Sequence, residues 1–438
     1  MERARILEIL TDWNFWEKEQ PTGVIREKYL KRLEHLAKSQ FVIAVVGPRR
    51  SGKSTILMQY IKKIIDNGVN PRDILLVNFE DYRFDEFNLK LLEDIYKLYL
   101  EKIHQKGKPF IILDEIHHIP QWERFVRTLY DSKAANIVIS GSTAKLMAPE
   151  LASLLTGRYL QLDVLPLSFR EFLAFKGLKV GDEIAAIAQR TKIIKLLQEF
   201  MEYGGFPEVV LKETKREILQ RYYEDIIMKD VITRYKIRAI AALKTLANFY
   251  LTNVSKPVTF GSLKKFLGLS LRTVERFSSY LEAAYLIFLL KKFHPSLKEQ
   301  EKAPRKVYAV DTGIVNISGF KISENYGKSM ENIVFLELKR EQFDAPTTEI
   351  FYWADQFGRE VDFLIKRGPK VTELIQVCYN IEDLQTRERE RSSLLRAMEL
   401  FKVSSGLIIT WDFESEEKVG RKRIRYYPLW KWLLKFRP

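Results

Sequence analysis

Apolar positions along this chain fall into two periods. FVIAVV at 41–46 is an unbroken apolar run rich in β-branched residues, as expected of a parallel strand buried on both faces. Residues 56–65 follow it with the i, i+3, i+4 spacing of a helix. Apolar runs recur at 110–113, 136–140 and 160–165, which predicts further strands of an α/β domain. From 171 to about 253 the spacing is helical, with Gly204-Gly205 as the chief interruption. Residues 258–267 and 271–281 predict two helices about a tight turn, with Leu263, Phe266 and Leu267 facing Val274, Phe277 and Leu281. Residues 285–292 and 307–310, joined by a basic turn over 298–306, predict a two-stranded wing. The last third predicts a helix over 331–340, strands over 349–353, 360–365 and 372–379, a helix over 388–401, a strand over 405–410 and a basic end at 421–425.

Chemistry enters at the first strand–helix junction. GPRRSGKST at 47–55 fits G-x-x-x-x-G-K-[ST], in which glycines let the loop turn backbone N–H groups onto phosphate oxygens and the helix N-terminus adds partial positive charge. Gly47, Pro48, Arg49, Arg50, Ser51, Gly52, Lys53, Ser54 and Thr55 are therefore expected to bind ATP. Lys53 is expected to reach the β and γ phosphates and Ser54 to hold Mg2+. FIILDE at 110–115 ends a second apolar strand in two carboxylates. Asp114 suits the outer shell of Mg2+, and Glu115 suits polarising the attacking water. The strand at 136–140 ends in Ser140, with Ser142 close behind, and either hydroxyl would sit beside the γ phosphate if this strand neighbours the Asp114 strand. Arg158, just before the strand at 160–165, is either a finger reaching a neighbouring subunit's nucleotide or a surface charge. His117 and His118 have no third ligand at metal spacing and are expected to pack, as is Trp122.

With GPRRSGKS (47–54), LDEIHHIPQWE (113–123), SGS (140–142), LTGR (155–158), PLSFREF (166–172) and GGFP (204–207), the chain resembles the archaeal and bacterial AAA-superfamily ATPases whose P-loop domain precedes a C-terminal domain of unknown function. The resemblance spans nearly the whole chain. It implies a three-layer α/β ATPase with a helical lid and homo-oligomeric assembly through Arg158, and it implies little about substrate.

The helix pair and wing look like a winged helix, in which Arg272, Thr273 and Arg276 would face a nucleic acid from the second helix. The wing mixes Glu299 and Glu301 with its lysines, so a protein-binding spacer is the alternative. Asp225 and Asp230, beside Lys229 and Arg234, are expected on a solvated helical face. The segment from 331 onward resembles the PD-(D/E)XK nuclease fold. On that resemblance Glu331 matches the helix acid and Asp362 the strand acid, while Gln376 and Cys378 stand at the acid-x-Lys positions. A neutral amide and a soft thiol suit a hard cation poorly, and the lysine that would steady the attacking water is missing unless Lys366 or Glu373 substitutes. Glu331, Asp362 and Gln376 are therefore expected to be vestiges in a nuclease-like domain reused for binding.

The chain has 438 residues, enough for about three domains, at 46% hydrophobic and 29% charged. The expected fold is α/β: an AAA-type P-loop ATPase domain over 1–175, a helical lid over 176–250, a winged helix over 251–315 and a nuclease-like domain over 316–438. A net charge of +15 favours polyanionic partners, DNA above all, although it also fits a heat-adapted surface. One cysteine cannot form an internal disulfide, no apolar run approaches the length of a membrane span, and the N-terminus has no signal-peptide layout, so the cytoplasm is expected. The function expected is ATP hydrolysis coupled to nucleic-acid binding or remodelling. The alternatives are a nucleotide-dependent switch that docks a protein through the C-terminal domain, and an Mg2+-dependent nuclease.

Overall fold

Every side chain of strand β1 (Val42–Val46) is buried, and they divide by parity. Val42, Ala44 and Val46 pack with Leu75, Val77, Ile111 and Ile139 on one face of a sheet. Ile43 and Val45 pack with Ile56, Leu57 and Ile112 on the other. A strand that serves two apolar layers cannot alternate with polar residues, which is why its sequence is continuously apolar.

The computed structural model describes residues 2–141, 155, 157–318 and 326–436. The chain divides into two units, Met1–Val164 and Leu165–Pro438. In the first, β1 joins β2 (Ile74–Asn78), β3 (Phe110–Asp114), β4 (Asn136–Gly141) and β5 (Tyr159–Asp163) in a sheet of order β2-β3-β4-β1-β5. All four pairings are parallel. The helices of this unit include Arg3–Trp13 and Glu27–Ala37, which were unassigned from sequence. Just past the first of them, the Asn14 amide donates to Leu76 O at 2.9 Å and its carbonyl accepts the Leu76 N–H at 2.7 Å. The Trp16 indole donates to Ile74 O at 2.8 Å. These contacts satisfy backbone groups that edge strand β2 would otherwise offer to another chain.

The second unit starts with helices. Ser168 and Glu171 form a reciprocal capping box that fixes the start of the helix Phe169–Phe175. The Gly204-Gly205 break seats a buried carboxylate: Asp311 accepts the N–H groups of Gly205 at 2.7 Å and Gly313 at 2.9 Å. Gly204 has φ +74°, and a Cβ there would come 1.9 Å from Asp311 Oδ1. Asp225 is half-buried, paired with Lys229 at 2.7 Å. Asp230 corrects its expected place on that solvated face, because it is buried. The helix widens into π-type turns over Ile226–Thr233, and the change of pitch turns Asp230 inward with Ile226, Ile227 and Val231.

Two helices, Phe260–Leu267 and Leu271–Ala283, are capped by Thr259 and Ser270. Leu263 is buried between them, but Phe266, expected there too, is 58% exposed and rests against Phe249. Where a two-stranded wing was expected, a sheet of three strands stands: β6 (Pro257–Val258), β7 (Ile287–Leu290) and β8 (Arg305–Ala309), in the order β6-β8-β7. The turn before β8 holds a short helix, Leu297–Lys302, whose Glu301 takes Lys291 at 2.5 Å and Arg305 at 2.8 Å.

A six-stranded sheet follows, formed by β9 (Thr348–Ala354), β10 (Glu360–Arg367), β11 (Lys370–Cys378), β12 (Ser405–Thr410), β13 (Ser415–Val419) and β14 (Lys422–Pro428), in the order β13-β14-β12-β11-β10-β9. Phe335, on the helix Tyr326–Asp344, packs with Phe363 and Ile375. Leu394 and Met398, on the helix Leu384–Phe401, pack with Leu364 and Leu374 from the opposite face. Among the described residues no helix is long and apolar enough to cross a membrane.

Candidate functional site

β1 ends at Val46, whose carbonyl accepts the Val164 N–H at 2.7 Å. That approach makes Gly47 necessary: its φ is +154°, and a Cβ would come 2.1 Å from Val164 O. Arg50 at φ +67° and Gly52 at φ +93° curl the loop, and the helix Lys53–Asp66 starts with no side-chain cap. Its first-turn N–H groups are left to a ligand, and the Ser51 hydroxyl is buried without a hydrogen-bond partner. Lys53 is buried, donating to Gly47 O at 3.2 Å and Pro48 O at 3.1 Å. A phosphate chain fits this cradle of uncapped N–H groups, an orphaned hydroxyl and an inward-facing ammonium. Arg49 leans on Glu80 at 3.0 Å, and Thr55 is exposed on the first helical turn.

β4 lies beside β3, as the placement of Ser140 required. The Ser140 hydroxyl donates to Asp114 and accepts the Glu115 N–H at 3.0 Å. Ser142 lies outside the described residues. The Ser54 hydroxyl also reaches Asp114, so the two groups expected beside Mg2+ are in contact and could hold the ion between them. Burial, reinforced by the charge of Glu115, pushes Asp114 up to about 6. Burial would raise Glu115 as well, but Lys53 at 3.8 Å, then His117 and Arg49, hold its carboxyl well below the usual range. Glu115 also sits in the left-handed region at φ +53°, a strained conformation for a side chain of its size.

Two supporting residues were not assigned from sequence. Arg26 is buried, donates to Ser51 O at 2.8 Å and stacks over Tyr29 at 4.4 Å, bracing the loop from behind. His117, expected only to pack, lies with Nδ1 3.1 Å from Glu115 Oε2. The histidine sits two residues beyond a left-handed Glu, and no periodicity announces such a turn. His118 and Trp122 do pack, His118 against Phe87 and Trp122 in the core.

Arg158 lies at the far end of the sheet. Its carbonyl accepts the Val42 N–H at 3.0 Å, at the start of β1, and its guanidinium holds Asp131 at 3.0 Å. The loop begins past the other end of β1, about 15 Å away at strand rise. Arg158 cannot serve its own chain's loop, and a finger role would need a second copy.

In the second unit Arg272 and Arg276 are exposed and Thr273 is half-buried. Lys264, Lys265, Arg272 and Arg276 have no carboxylate partner among the described residues. Glu331, Asp362 and Gln376 converge, and a lysine from outside the acid-x-Lys positions joins them: Lys306, from β8, reaches both acids. Lys306 corrects its placement in a basic surface turn, since it is 1% exposed. Lys366 and Glu373 do not substitute, being paired with Glu349 and Arg367. Burial pushes the Cys378 thiol up to about 12, which leaves it protonated and unreactive.

Strand order, loop and terminal acids together define a P-loop nucleotide-binding domain of the AAA type, and residues 39–173 match the family described as AAA domain. The chain belongs to the family of archaeal and bacterial AAA-superfamily P-loop proteins that continue into domains of unknown function. Those domains match here over 194–324 (DUF8612) and 326–430 (DUF4143). The uncharacterized protein MJ1544 of Methanocaldococcus jannaschii is 35% identical over 90% of this chain and 88% of its own. An uncharacterized protein of Haemophilus influenzae is 29% identical over 93% of this chain and 98% of its own. Among solved structures, the Walker-type ATPase PABY2304 of Pyrococcus abyssi is 13% identical with a TM-score of 0.44, covering 70% of this chain and 99% of that one.

Proposed function

We propose that this chain hydrolyses ATP and couples turnover to binding or remodelling of nucleic acid, with DNA the preferred partner. The observation that carries ATP hydrolysis is the convergence of Lys53, Ser54, Asp114 and Glu115 where β1 and β3 end. Mg2+, when held by Ser54 and Asp114, supplies charge neutralisation on the phosphate oxygens. Lys53 exchanges its loop carbonyls for phosphate oxygens. Its departure from Glu115 restores proton affinity to a carboxylate that is otherwise too weak a base, and Glu115 then orients water and accepts its proton. Ser140 and His117 hold Glu115 in place for that step.

The nucleic-acid partner rests on the unpaired basic face of the helix pair, where Lys264, Lys265, Arg272 and Arg276 stand free of carboxylates while the wing's charges pair with Glu301. That neutralised wing favours a second reading, a nucleotide-dependent switch that docks a protein through the C-terminal domain. Nuclease chemistry finds less support, because both oxygens of Asp362 are already engaged by Lys306 and the Val377 N–H.

ATP turnover with and without duplex and single-stranded DNA, at two salt concentrations, tests the proposal. Stimulation that fades as salt rises is expected. Turnover indifferent to any nucleic acid would transfer the case to the switch.

A further inference from the structure

The three-stranded sheet delivers a lysine into a cage of acids formed by β10 and the helix Tyr326–Asp344. Lys306 Nζ lies 2.7 Å from Asp362 Oδ1, 3.0 Å from Glu331 Oε1 and 2.5 Å from Glu360 Oε1. Tyr308, two residues on and so on the same face of β8, donates to the same Glu331 oxygen at 2.7 Å. Its ring stacks on Phe335, with centroids 4.1 Å apart, which fixes β8 against the helix that bears Glu331. Asp362 Oδ2 accepts the Val377 N–H at 2.9 Å. Gln376 accepts the Asp362 N–H at 3.1 Å and donates to Glu390.

Three carboxylate oxygens within 3.0 Å of one positive charge form the surroundings that a hard cation needs, yet the cation here is part of the chain. The acids need a cation to coexist. Gln376, an amide where a fourth acid would add more negative charge, suits a cage served by a single monovalent cation.

We propose that Lys306 is a resident cation, occupying the position in which Glu331, Glu360 and Asp362 would otherwise hold a divalent ion, so that the C-terminal sheet is kept free of metal and tied to the three-stranded sheet. The arrangement uses no residue of the nucleotide site, so it stands or falls apart from ATP hydrolysis.

Titration of the nucleotide-free full chain with Mn2+, followed by calorimetry, tests this in wild type, Lys306→Ala, Asp362→Asn and the double variant. Lys306→Ala is expected to gain one Mn2+ per chain over wild type, and the double variant to lose it. A Mn2+ site in wild type that disappears in Asp362→Asn would overturn the proposal, as would a folded Lys306→Ala that gains none. Circular dichroism with and without Mn2+ covers the case in which Lys306→Ala does not fold alone. Refolding on addition of Mn2+ supports the proposal. If the variant folds in neither condition, the comparison of wild type with Asp362→Asn decides: an Asp362-dependent site overturns the proposal, and its absence supports it.

Discussion

Lys53 and Lys306 are both buried beside carboxylates, and they are held differently. Lys53 rests on two loop carbonyls and is 3.8 Å from its nearest acid, Glu115. Lys306 is gripped by three carboxylates at 2.5–3.0 Å. A lysine that must move to a ligand is held by weak, replaceable contacts, whereas one that substitutes for a ligand is held by strong ones. The same residue types thus line a phosphate cradle in one unit and a lysine-filled acid cage in the other.

The largest effect separating them is on turnover. Lys53→Ala should lower ATP hydrolysis by at least about 100-fold in a steady-state assay, the scale of losing one charge-stabilising group. Lys306→Met should leave basal turnover nearly intact. Stability should reverse the order: Lys306→Met is expected to cost about 3–5 kcal/mol in denaturant unfolding, because it strands buried carboxylates. Lys53→Met should cost less than about 1 kcal/mol, since removing a functional residue commonly costs little stability. Equal losses in both variants would break the comparison.

A third carboxylate sharpens it. Burial pushes Asp311 up to about 6, although it accepts backbone N–H groups from Gly205, Gly313 and Ile314. The folded value lies above the ordinary one, so its stability contribution is full below about pH 4 and is lost as pH rises through about 6. Asp311→Asn should remove that pH dependence and cost about 1–3 kcal/mol, because an amide NH2 meets a backbone donor. Melting curves from pH 4 to 7 in both proteins check the sign. The smallest effect falls on the exposed helix face, where Arg272→Ala with Arg276→Ala should reduce the slope of log affinity for DNA against log salt by about 2.

What the sequence disclosed follows the same division. The P-loop site was legible because Gly47 to Ser54 are contiguous and β1 and β3 each present their chemistry at one end. The position of Ser140 followed from strand adjacency alone. Lys306 was hidden because it lies 25 residues before Glu331 and 56 before Asp362, in a strand whose pattern marks it only as part of a wing. Asp230 was misplaced because a π-type segment breaks the 3.6 period on which helical faces are counted. Phe266 fits the helical stripe, yet it turns to Phe249 on a neighbouring helix, a contact that no local period encodes. Arg26 and His117 act through one backbone carbonyl and one carboxylate, and single contacts leave no pattern.

The central claim is that Glu115 is the group that activates water at a P-loop site built to hydrolyse ATP. Its most direct test is ATP turnover by wild type and Glu115→Gln, with nucleotide binding measured on both. The prediction is that wild type turns over, while Glu115→Gln binds ATP with similar affinity but loses turnover by about 100-fold or more. Turnover unchanged in Glu115→Gln would contradict it.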